Sequence, residues 1–158
     1  MRFARMAAAV VGLAALSAVG GASAQLLDVK ILSLEGAKKA AAAAIAEAKR
    51  NNWTMAVAIV DEHGQLMYLE RLDDTQPVGV EFAIGKARTA AIYRRTTKVM
   101  EETVAGGRNV VMTFPDAVPV EGGVPIILNG KVVGGIGVSG GTSPQDTQVA
   151  TAGVNALK

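Results

Sequence analysis

Residues 121–141, EGGVPIILNGKVVGGIGVSGG, place eight of the chain's 18 glycines among valines and isoleucines. The β-branched residues favour a pleated strand, whereas a glycine inside a strand weakens it and marks a bulge, a bend or a close approach by another backbone or a ligand. Any fold for this chain must therefore give that backbone something to lie against. Gly135, Gly137 and Gly140 also spell G-x-G-x-x-G, the phosphate-cradling turn of dinucleotide folds. That motif needs a helix and then a further parallel strand carrying an acid about 20 residues on. Only 18 residues follow Gly140, enough for one helix, so the fingerprint is excluded as a nucleotide site. Two readings stay open: the glycines let the chain's own helices sit close to the sheet, or they leave a bare floor near Gly122, Gly123 and Gly135 for a flat ligand or a neighbouring subunit.

The remaining sequence frames this strand region. Ser33 precedes LEGAKKAAAAAIAEAKR, whose alanines recur at helical spacing with Lys38, Lys39, Glu47 and Arg50 opposite them. TMAVAIVD, the turn EHGQ and LMYLER predict a first hairpin. A second helix is expected over about 80–94, and a shorter one in TKVMEETV that stops at Gly106-Gly107. Residues 109–114 are expected to add a short strand before the Pro-containing connection 115–124. Asn129-Gly130 then predicts a second hairpin, because both turn positions accept positive φ. A last helix opens at Ser143-Pro144-Gln145-Asp146, with Ser143 expected as N-cap. Hairpins alternating with helices indicate an α+β fold with an antiparallel sheet.

The first 24 residues place Arg2 and Arg5 before an apolar run from Met6 to Val19 and end in Ala22-Ser23-Ala24, the pattern of a cleaved signal peptide. The run is shorter than the roughly 20 residues of a spanning helix. The expectation is a periplasmic or secreted protein with one domain over residues 25–158 and no membrane span. Loss of Arg2 and Arg5 would take the formal charge of +2 to neutrality, and no basic face suggests nucleic acid. The chain has no cysteine, so neither disulfides nor thiolate chemistry contribute.

Five segments together resemble the GlcG/HbpS-type heme-binding family, also called heme-degrading, which includes the carboxy-terminal domain of PduO-type proteins. They are Ala56–Asp61 with Gly64 and Leu66, Lys86-Ala87-Arg88-Thr89-Ala90, Gly122-Gly123-Val124-Pro125-Ile126, Gly134–Gly140 and Gln145-Asp146. The resemblance implies a profilin-like fold, a five-stranded antiparallel sheet flanked by helices, together with homo-oligomers and binding of heme or a related tetrapyrrole. Thr147 and Gln148 stand where the family often has a further acid, so no role transfers to that position.

With no cysteine, axial donors to a heme iron reduce to His63, the tyrosines and the methionines. His63 is the only histidine; it lies in a turn, where solvation is its ordinary fate, and it is the candidate iron ligand. Lys86 and Thr89, three apart on a helix, share a face; they could line a cleft with Gly122, Gly123 and the start of the last helix, where Asp146 lies. Tyr93 adds a donor near Arg94 and Arg95. With Pro125, which comes from the segment that carries the resemblance, the candidate ligand-contacting set is Lys86, Thr89, Tyr93, Gly122, Gly123, Pro125 and Asp146. An enzyme or accessory protein acting on a small carboxylate through Lys86 is the alternative to a heme-binding protein. No Ser/His/Asp arrangement or metal-ligand spacing is legible.

Overall fold

The computed structural model describes residues 29–158, so the expected signal peptide, residues 1–24, lies outside the described residues. The element order is α1 (Leu34–Arg50), β1 (Ala56–Asp61), β2 (Leu66–Arg71), α2 (Gly79–Tyr93), α3 (Thr97–Ala105), a 3-10 turn (Asn109–Thr113), β3 (Gly123–Leu128), β4 (Lys131–Ser139) and α4 (Ser143–Asn155). The strands form one antiparallel sheet in the order β2-β1-β4-β3.

Among the described residues the sheet has four strands rather than five. The expected short strand at 109–114 is a 3-10 turn, in which Val111 N–H donates to Arg108 O and Phe114 N–H to Val111 O. Those local bonds use the backbone groups that a strand would offer to a neighbour. Only Val111 of its apolar residues is buried, and Val110 and Met112 face outward, so no period-two face existed to hold the segment on a sheet. The helix starts also differ by one residue. Thr142, not Ser143, caps α4, in a capping box with Gln145.

Helices cover both faces of the sheet, and β4 shows how. Ile136 and Val138 join Val57, Ile59 and Ile126 in a core closed by the alanine face of α1 and by Val149 and Ala150 of α4. Gly135 and Gly137 point the other way, toward α2. They pair with Val60 and Ala58 of β1, and with Pro125 and Gly123 of β3. Against this smooth belt lie Ala83, Ala87 and Ala91 of α2. A Cβ at Gly137 would strike the Ala83 carbonyl oxygen, one at Gly135 that of Ala87, and one at Gly123 that of Lys86. The glycine-rich floor is therefore covered by the chain's own helix. The alternative, a floor left bare for a flat ligand or a second subunit, is overturned at Gly123 and Gly135 because helix backbone already occupies that space.

Candidate functional site

Laying α2 directly on backbone brings its polar residue Lys86 to the end of β4. Lys86 is 2% exposed, and its Nζ donates to Asp146 Oδ2 at 2.7 Å and to Val138 O at 3.1 Å. Asp146, in the first turn of α4, is also 2% exposed, and its Oδ1 accepts from Gly141 N at 3.0 Å. The pair ties a helix on one face of the sheet to a helix on the other. Gly122, at φ +124, packs beneath it: a Cβ there would lie 2.8 Å from Asp146 Cβ and 2.9 Å from Lys86 Nζ. Burial raises the Asp146 pKa, against the hydrogen bond and charge of Lys86, and the negative charge of Glu121 adds to the rise. Lys86 and Asp146 wall a cavity of about 200 Å³ with Gln76, Val78, Phe82, Val120, Ser139 to Gly141 and Ser143.

The other candidates lie away from this cavity. Thr89 is fully buried; its hydroxyl donates to Gly85 O at 2.7 Å and accepts from Val118 N at 2.8 Å, pinning the 115–118 connection to α2. Tyr93 donates to Pro115 O at 2.6 Å and stacks on Phe114 at 5.7 Å between ring centroids. It lines a separate cavity of about 190 Å³ with Arg95 and Arg108. Gly123 N–H donates to Thr97 Oγ1 at 2.8 Å beneath α2, and Pro125 is paired with Gly135 inside the sheet. The structure thus brings together Lys86, Gly122 and Asp146, sets Gly123 against the Lys86 backbone and outside the cavity lining, and places Thr89, Tyr93 and Pro125 elsewhere.

The turn that carries His63 lies against the C-terminal part of α2, beside Arg88 and Ile92. Its turn is ordered by Asp61, whose Oδ1 accepts from His63 N at 2.9 Å and from Gln65 N at 2.8 Å. Arg88 of α2 holds the same turn through Nε to Gly64 O at 3.1 Å. The His63 side chain is 78% exposed, with Nε2 3.5 Å from Glu62 Oε1. It borders a groove of about 730 Å³ lined by Val29, Lys30, Glu62, Arg94, Ile127, Gly130, Lys131 and Val132. Sequence reasoning missed Lys30 and Lys131, because the groove joins four segments that no linear spacing connects. Arg94 had a signal, its place at the end of the second helix beside Tyr93. That end is sharp because Arg94 takes a left-handed conformation at φ 53. Among the described residues there is no cluster of three or more His, Cys, Asp or Glu that could hold a metal ion.

The family described as haem degrading protein HbpS-like matches residues 32–155 of the chain. The chain belongs to the HbpS-like family. Among curated relatives it is 44% identical over 109 residues to protein GlcG of Escherichia coli K12, covering 69% of this chain and 81% of that protein. The same HbpS-like region is 30% identical to the corrinoid adenosyltransferase PduO of Salmonella typhimurium over 125 residues, but covers only 35% of that protein. Two solved structures resemble it closely. A double mutant of Streptomyces reticuli HbpS superposes with a TM-score of 0.80 at 30% identity, over 98% of this chain and 99% of that one. A heme complex of PduOC superposes at 0.75 with 28% identity, over 82% and 96% of the two chains.

Proposed function

We propose that this HbpS-like protein binds heme or a related tetrapyrrole in the groove beside His63, and that it does so outside the cytoplasm as a homo-oligomer. One observation carries the ligand reading: the chain's only histidine stands exposed at the largest of the three cavities described above, between apolar and cationic groups. Size supports the choice. At about 730 Å³ the groove falls within the roughly 300–1,000 Å³ of small-molecule sites, whereas the Lys86 cavity, at about 200 Å³, falls below it. The donor set suits an amphipathic dianion. His63 would offer an imidazole to the iron, Val29, Ile127 and Val132 would meet the macrocycle, and Lys30, Arg94 and Lys131 would face the propionates. When bound, heme would supply a redox-active iron. The heme complex of PduOC, a relative of the same fold, supports this choice of ligand.

Quenching of Trp53, the only tryptophan, tests the reading. Hemin should quench it saturably at micromolar concentration, and hemin dimethyl ester, which lacks the two negative charges, should bind at least about tenfold more weakly, the equivalent of 1.4 kcal/mol. Absence of saturable quenching would contradict the proposal.

Export rests on the Arg-led apolar segment ending Ala22-Ser23-Ala24. Full-length protein expressed in a Gram-negative host should be recovered from the periplasmic fraction beginning at Gln25, and cytoplasmic retention of the intact chain would contradict it. Oligomerisation is supported by Val99, Val110 and Met112, left exposed where α3 packs on the 3-10 turn. Light scattering should give a multiple of the monomer mass.

A further inference from the structure

Lys86 and Asp146 are more than a clamp between two helices, because the buried pair also lines a cavity. A lysine ammonium carries three N–H donors. The structure gives Nζ two acceptors, Asp146 Oδ2 and Val138 O, so its third N–H is uncommitted, on a side chain that is only 3% exposed and belongs to a residue lining the cavity. Around it stand the neutral polar side chains Ser139, Ser143 and Gln76, while Val78, Phe82 and Val120 supply an apolar side. The cavity also borders the start of α4, where the helix dipole favours negative charge. Its volume of about 200 Å³ equals the liquid volume of roughly six or seven waters, room for a compact molecule and not for a macrocycle.

We propose that this cavity is a second binding site, independent of the His63 groove, for a small monocarboxylate whose oxygens meet Lys86 and whose short apolar tail lies against Phe82 and Val78.

The Asp146 carboxylate opposes an incoming anion, and the charges near it decide how that opposition is resolved. Lys86 reaches it from α2. Glu121 approaches from the connection before β3; its carboxylate pairs with Lys98 of α3 at 3.3 Å, and its backbone N–H donates to Glu101 Oε2 of the same helix. Burial already raises the Asp146 pKa, and a second carboxylate beside it raises it further, as when two carboxylates share one proton. Asp146 therefore takes up a proton as the ligand enters, turning a repelling group into a donor and leaving Lys86 to the ligand. Binding tightens as pH falls, by up to about tenfold per pH unit for one coupled proton.

Calorimetric titration of the full mature chain with acetate and butyrate, against the neutral isosteres acetamide and butyramide, tests this. Both acids should bind saturably and more tightly at pH 5.5 than at pH 7.5, with proton uptake seen as a dependence of the measured heat on buffer ionisation enthalpy. Butyramide should not bind. Val78→Trp, a substitution at a half-exposed cavity wall, should abolish binding without touching the pair. Lys86→Met/Asp146→Leu, which removes both charges together, should do the same while the protein stays folded. Absence of acid binding at tens of millimolar, equal binding of the amides, or binding retained in both variants would overturn the proposal. None of these results bears on hemin, whose titration reads the other site.

Discussion

Two stations on α2, an inner one at its midpoint and an outer one at its C-terminal end, hold the same kinds of atoms under opposite conditions. At the midpoint, Lys86 is buried against Asp146 and the backbone of β4; at the C-terminal end, Arg94 and the nearby His63 border an open groove. The two helix positions are eight residues apart, about 12 Å along the axis. At the inner end each polar group is also a structural part, so changing it changes the fold. At the outer end the His63 imidazole does not hold its own turn, which is fixed by the Asp61 carboxylate and by the Arg88 guanidinium. The contrast predicts that substitutions should separate cleanly into those that cost stability and those that cost only a ligand.

The sharpest break of that comparison is Gly122→Ala. A Cβ would meet Asp146, Lys86 and the Val138 carbonyl at once, on a backbone at φ +124 that side chains rarely adopt. We expect a loss on the order of 4 kcal/mol or more in urea unfolding. Lys86→Met comes next, at about 3–5 kcal/mol, because it strands the Asp146 charge in the interior. The double variant Lys86→Met/Asp146→Leu should recover most of this loss, since a buried ion pair often does no better than an apolar pair of similar volume. Full additivity of the two single losses would show that the charges do not act as a pair.

Thr89→Val sharpens the comparison at a smaller scale. It leaves Val118 N–H without its acceptor, a cost of about 1–3 kcal/mol, and should loosen the 115–118 connection in hydrogen exchange.

The pH dependence of stability adds a signed test. The folded-state pKa of Asp146 is raised, so its contribution is fully present below its unfolded value, near 3.9, and is lost as pH rises through the folded value. Wild-type protein should therefore lose stability over that interval relative to the Lys86→Met/Asp146→Leu double variant. A flat difference between the two would contradict it. The smallest stability effect belongs to His63→Ala, within about 0.5 kcal/mol, as for an exposed residue.

Much of this architecture can be read from the residues, and the failures have physical causes. Period-two alternation of glycine with Ile136 and Val138 identifies β4, and alanines at helical spacing identify α1 and α2. Asn129-Gly130 marks the turn, with φ of 51 and 75. The 109–114 segment misleads because Val110, Val111 and Met112 have strand composition, and only three-dimensional context shows that just one of them finds a buried place. For the site, Lys86 and Asp146 are visible separately, but their contact spans 60 residues and depends on α2 and α4 reaching past the same strand end. Thr89 illustrates the converse. Helical spacing places it on the same side as Lys86, yet one turn along the helix it faces the 115–118 connection and not the cavity. The outer groove escapes the sequence almost wholly, since Lys30, Arg94 and Lys131 meet only through the fold.

The most direct measurement is the absorption spectrum of stoichiometric hemin with wild-type protein, His63→Ala and the Lys86→Met/Asp146→Leu double variant. A shifted, saturable Soret band in the wild type and the double variant, lost or displaced in His63→Ala, is what an imidazole-ligated macrocycle at the outer end of α2 predicts. An identical band in wild type and His63→Ala, or a band abolished by the inner double variant alone, would contradict it.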